Sequence, residues 1–149
     1  MTNAPMPLVL IPLLPLLSFA ILILFGRRIG NAAGWLSVAA LAGAAVVTWS
    51  LGPQVLSGHP VSAQWSWLLG GPNWTLGFVA DRLSWLMLFM VTSIGTMIQC
   101  YSIGYMHGDP RFSCFFAYLS LFCASMLGLV LADHLVLFFI CWEVMGLCS

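Results

Sequence analysis

Eight side chains in this 149-residue chain carry a formal charge: four Arg and four acidic residues, with no Lys. Arg27, Arg28, Asp81, Arg82, Asp109, Arg111 and Asp133 fall where apolar runs begin or end, and Glu143 falls inside one. A carboxylate deep in hydrocarbon costs on the order of a few kcal/mol unless it is neutral, paired or wetted. Desolvation disfavours the charged form of any carboxylate and a nearby cation favours it. A group moved between those two conditions takes up and releases a proton, so the chemistry Glu143 offers is that of a proton relay. The competing reading is a protonated Glu143 that hydrogen-bonds a neighbouring helix as polar glue. Gly146, three residues on, leaves room beside the carboxylate for a partner side chain or a water.

The remaining titratable residues sit at boundaries. Asp133 and His134 lie at the start of the run that holds Glu143, His107 lies at the opposite boundary, and His59 lies in an outer stretch. Asp133, His134 and His107 are candidate entry or exit groups, or supports for the relay. The five cysteines, Cys100, Cys114, Cys123, Cys141 and Cys148, lie inside apolar runs without a C-x-x-C pair, so they read as packing residues and no metal site is expected.

The elements that place these residues follow from hydropathy. The chain is 62% hydrophobic and 5% charged, against about 25% charged in soluble domains. That leaves too little polar surface for a water-facing exterior and too little basic surface for nucleic acid. Five apolar segments are expected: Leu8 to Phe25, about Ala33 to Leu51, Leu83 to Met106, Phe112 to Ala132, and one beginning after Asp133. The first lacks a basic leader and reads as a retained span rather than a signal peptide. The second is expected to stop at Gly52-Pro53. Read as one helix, the last two segments would be ~57 Å long, nearly twice the ~30 Å hydrocarbon core. A reversal at Ala132-Asp133-His134 is therefore expected, with Asp133 capping the next helix. Glu143 then lies ~15 Å deep, near the middle of the bilayer.

Between the second and third segments, Val61, Ala63, Trp65 and Trp67 alternate with polar or small residues. Gly70-Gly71-Pro72-Asn73 make a turn, and Trp74, Leu76, Phe78 and Ala80 alternate again. Period two on both sides of a turn predicts a β-hairpin, either an interfacial aromatic belt or a docking surface for a neighbouring subunit. In the fourth segment, Ser120, Ala124, Gly128 and Ala132 form a small-residue stripe that admits a close neighbouring helix. Arg27, Arg28 and Arg111 against Arg82 favour an outside N-terminus. The expected fold is an all-α integral membrane protein. Residues 1–52 hold two transmembrane helices, 53–82 an outer loop with the hairpin, and 83–149 three more helices, the last truncated. Ser149 comes 16 positions after Asp133 without an interfacial anchor. The chain is thus expected to be the front of a longer membrane protein, or one that other chains complete.

The run D-R-L-S-W-L-M-L, Y-S-I-G-Y-M-H-G-D-P-R-F, F-F-A-Y-L-S-L-F, M-L-G-L-V-L-A-D-H-L and W-E-V-M-G-L-C-S, from Val79 to Ser149, resembles chain 5, or chain L, of respiratory NADH:quinone oxidoreductase (complex I). The first 78 residues agree in layout only. The resemblance implies the N-terminal part of an antiporter-like helix bundle in a proton-translocating subunit. Glu143 would match an essential membrane carboxylate that pairs with a Lys on a later helix. Similar subunits occur in Mrp-type cation/proton antiporters, membrane-bound hydrogenases and a proton-coupled inorganic-carbon uptake system, which supply the alternative reading. The sequence departs from the family pattern at Gln99 (usually His), His134 (usually Asn), Cys141 (usually Gly) and Val144-Met145 (usually Gly-Val). This chain carries no flavin, iron–sulfur or nucleotide motif. FMN, iron–sulfur clusters and quinone are expected in partner subunits, within a bacterial cytoplasmic membrane or an equivalent energy-transducing membrane.

Overall fold

The computed structural model describes the backbone of residues 2–3, 5–58, 60–66 and 75–149, and the side chains of 6–26, 28–58, 60–63 and 77–149. The elements run β1 (Thr2–Asn3), α1 (Pro5–Ile29), α2 (Ala32–Leu56), β2 (Val61–Ser66), β3 (Thr75–Ala80), α3 (Arg82–Tyr105), α4 (Phe112–Leu131) and α5 (Leu135–Cys148). Among the described residues, α1 to α4 are long and apolar enough to cross a membrane, whereas α5 is a shorter apolar helix of 14 residues.

Each helix follows from its residues. Pro5 opens α1, at a position where a missing N–H costs nothing. The α1–α2 reversal turns on Gly30 at φ +56°, a left-handed conformation that side chains resist. Gly108, at φ +92°, does the same between α3 and α4. Asp81 caps α3 by accepting the Ser84 N–H at 2.7 Å.

Two sequence expectations change. α2 continues through Gly52-Pro53 to Leu56, because α3 holds its last turns in place. The Trp85 indole packs on Gly52 and donates its N–H to the Thr48 carbonyl at 2.9 Å. At the start of α5 the cap is His134 and not Asp133: His134 Nδ1 accepts the Val136 N–H at 3.3 Å. Asp133 spends its own backbone N–H on the Gly77 carbonyl at 3.0 Å.

The hairpin forms as the alternation predicts, with Val61 opposite Ala80 and Ser66 opposite Thr75 in antiparallel register. The expected turn at Gly70-Gly71-Pro72-Asn73, together with Trp67, Trp74 and His59, lies outside the described residues, as does the side chain of Trp65. β1 adds a parallel strand beside β2, and Phe78 of β3 bridges Ala132. The sheet therefore gathers the N-terminus, the α2–α3 connection and the α4–α5 reversal at one end of the bundle.

Two apolar cores fill the bundle. One lies toward the sheet and includes Leu8, Leu41, Leu88, Leu127 and Leu131. The other lies toward the arginine-bearing loops and includes Leu22, Ala33, Phe112, Phe116 and Ala117.

Candidate functional site

Glu143 is eight residues into α5, ~12 Å from its first turn. Among the described residues, no side chain of α5 is fully buried. The carboxylate faces an open recess of about 380 Å³ that Trp142, Val144, Gly146 and Leu147 line with it. Val144 also borders a second, almost wholly apolar cavity of about 300 Å³ between α1, α4 and α5. That cavity holds no Asp, Glu, His or Arg. Among the described residues, none pairs with Glu143, and no group of His, Cys, Asp or Glu could hold a metal ion. The recess can therefore hold a polar partner or water beside the carboxylate.

The other candidates are spread along the bundle. Asp133 and His134 stand at the sheet end, one helical run before Glu143. His107 stands exposed in the α3–α4 loop at the opposite end, ~30 Å away along the 20 residues of α4. The structure thus brings Asp133 and His134 together and separates both from His107.

The small-residue stripe on α4 serves several neighbours. A methyl placed on Gly128 would lie 3.1 Å from Cys141 Sγ of α5, so the two helices meet closely there. Ala132 meets β3. Ser120 turns inward, to a cluster that reading along the chain does not reveal.

Four fully packed polar side chains, one from each long helix, form a layer between the two apolar cores. They are Ser18 of α1, Ser37 of α2, Gln99 of α3 and Ser120 of α4, each no more than 2% exposed. Ser37 Oγ donates to Gln99 Oε1 at 3.1 Å and lies 2.7 Å from Ser120 Oγ, which is 3.5 Å from Ser18 Oγ. Gln99 Nε2 points its N–H at Cys123 Sγ, 3.8 Å away. A polar group left unsatisfied at such a place would cost roughly 2–7 kcal/mol, so each member depends on the others. The partners lie up to 102 positions apart, and no local pattern joins them. The available signal was that every long apolar segment holds at least one hydroxyl or amide in its interior.

Residues 67–116 match the family model of the N-terminus of chain 5 of NADH-ubiquinone oxidoreductase (complex I). Subunit L of the NADH-quinone oxidoreductase of Escherichia coli (strain K12) is 41% identical over 143 residues, 92% of this chain and 23% of the subunit. Subunit 5 of the chloroplastic NAD(P)H-quinone oxidoreductase of Cryptomeria japonica is 40% identical over 116 residues, 76% of this chain and 16% of the subunit. In a solved structure of the Mrp complex from Dietzia sp. DQ12-45-1b, one chain superposes with a TM-score of 0.79 at 33% identity, over 95% of this chain and 15% of that one. The chain spans about a sixth to a quarter of the length of these relatives.

Proposed function

We propose, from the premise that this chain is a homologue of the N-terminal part of NADH:quinone oxidoreductase chain 5 (subunit L), that it is the opening helix block of an antiporter-like membrane subunit that moves protons. Glu143 is the relay, a carboxylate that takes up and releases a proton as the groups around it change. The observation that carries this reading is the position of the carboxylate. Among the described residues it is the only acidic group inside an apolar helix, and it lines an open recess on a side of α5 that those residues leave uncovered. Asp133, His134 and His107 stand at the two ends of the bundle, where protons enter or leave. Redox chemistry, with its flavin, iron–sulfur clusters and quinone, belongs to partner subunits. The subunit sits in an energy-transducing membrane with its N-terminus outside.

The test is Glu143→Gln in membrane vesicles that contain the assembled complex. The amide keeps size and hydrogen bonding but cannot ionise. Coupled proton translocation is expected to fall roughly tenfold or more, the scale on which a positioned proton-transfer group acts. Unchanged translocation would leave Glu143 as polar glue and sink the relay.

The Mrp match supports a second reading, a subunit of a cation/proton antiporter without redox partners. Purification of the native complex separates the two. Co-purifying flavin and iron–sulfur proteins support the first, and small membrane proteins alone support the second.

A further inference from the structure

We infer that Ser120 is a positioning residue for Glu143: through Ser18, Ser37 and Gln99 it fixes the height and rotation of α4, the helix on which α5 and its carboxylate rest. This inference rests on the relay reading above.

The polar layer has one order of donors. A serine hydroxyl carries a single proton, and Ser37 spends its own on Gln99 Oε1. Across the 2.7 Å contact Ser120 must therefore donate to Ser37, and Ser18 then donates to Ser120. The chain runs Ser18, Ser120, Ser37, Gln99, and the amide N–H continues toward Cys123. Neither serine nor amide ionises near neutral pH, and the primary amide does not hand on a proton without tautomerising. The layer is therefore suited to holding helices and not to conducting.

What it holds is α4. The hydrophobic driving force is itself non-directional, so a bonded layer adds an angular restraint to the steric packing of the cores on either side. Hydrogen bonds are directional and weaken steeply with misalignment. Ser120 and Cys123 face the other long helices, while Leu121, Ser125 and Gly128 of the same helix face Ile140, Cys141 and Val144 of α5. The two helices touch closely at Gly128 and Cys141, two residues from Glu143. At the far end the reversal is pinned by the bond from Asp133 N–H to the Gly77 carbonyl. Two pins 13 positions apart, ~20 Å along the axis, resist sliding and turning of α4, and the Glu143 carboxylate inherits that constraint. The side chains that line its recess with it carry no charge, and Cys141 is the one titratable side chain in the lining of the adjoining cavity. Its placement therefore depends on backbone position and not on a neighbouring charge within this chain.

The experiment measures coupled proton uptake against pH in native membrane vesicles, normalised to the amount of assembled complex. Ser120→Ala and Ser37→Ala are each expected to displace the midpoint of the pH profile in the same direction by about half a unit or more. The double variant should move no further than the larger single displacement, because all three break one chain. Ser102→Ala is the control, since among the described residues that hydroxyl bonds the Ile98 carbonyl of its own helix at 2.8 Å and no other helix, and its midpoint should stay in place. An unmoved midpoint in both Ser120→Ala and Ser37→Ala overturns the inference, even where yield falls, and so does an equal displacement in Ser102→Ala. Should Ser120→Ala fail to assemble, Ser37→Ala, on a different helix, decides alone. Glu143→Gln measured beside them keeps the two ideas apart. Wild-type pumping in that variant removes the relay itself, whereas lost pumping with unmoved serine profiles removes only the positioning role.

Discussion

Asp81 stands one residue before α3, where its carboxylate accepts the Ser84 N–H at 2.7 Å, and that backbone bond is the main cause holding its carboxyl below the usual value of 3.8. A folded value below the unfolded one means stability that is fully present above 3.8 and is lost as the pH falls through the folded value. Asp81→Ala should therefore cost about 1 kcal/mol at neutral pH. The gap from the wild type should close as the pH is taken below 3.8. Thermal unfolding in detergent across that range checks this, and Asp81→Asn, which keeps the acceptor, should remove most of the pH dependence but little of the stability. Glu143 carries the same chemical group into the interior of an apolar helix, away from a helix end. Its place inside an apolar helix was legible in the sequence, because a charge among apolar residues is anomalous wherever it stands. The layer of Ser18, Ser37, Gln99 and Ser120 was not, because its meaning lies in pairing between helices, and a lone serine in an apolar segment has a bland local explanation in a bond to its own helix, as Ser102 and Ser125 make.

Helices reveal themselves by length and apolarity, and α1 to α4 lie close to where those properties place them. The hairpin strands are legible for a similar reason, since period two shows in a single short run. Helix ends are less so. Gly52-Pro53 reads as a stop, yet the proline needs only a helical φ and the loss of one internal bond, and the neighbouring helix supplies support. The Trp85 ring covers Gly52, bonds Thr48 and stacks on Phe89 at 5.7 Å. A methyl on Gly52 would come within 2.8 Å of that ring. Gly52→Ala is thus expected to destabilise the α2–α3 pair by about 1–3 kcal/mol, as overpacking does. Unfolding midpoints of Gly52→Ala, Trp85→Leu and the double variant provide the check: the double should cost less than the sum of the singles, because both act on one contact. A full sum would mean that the ring and the glycine do not meet. The cap at α5 teaches the same lesson in reverse. Asp133 is the better capping residue by type, but its backbone is committed to β3, and the cap passes to His134.

On the scale of the whole molecule, the antiparallel helices give the chain two distinct ends. One end carries the sheet and Arg82, and the other carries Arg28 in the last turn of α1 and Arg111 in the α3–α4 loop. The excess of arginine, counting Arg27, is expected to hold the loop end in the cytoplasm. Asn31→Cys, exposed in the first loop, should react with a membrane-impermeant maleimide applied from the inner side, and Ser57→Cys, exposed at the sheet end, from the outer side. Labelling above the background of the native cysteines would show it, and the reverse pattern would invert the topology. The sheet end also carries a consequence for synthesis. Asp133 follows Gly77 by 56 positions, so at about 5–20 residues per second the ribosome takes roughly 3–11 s to make the partner that covers the outer edge of β3. Through that interval the strand waits with open backbone groups, a template for any other extended segment nearby. Pauses in translation or slow insertion of α4 would lengthen the wait, so the period in which this nascent chain is most exposed to mispairing is set by the pace of its fourth helix.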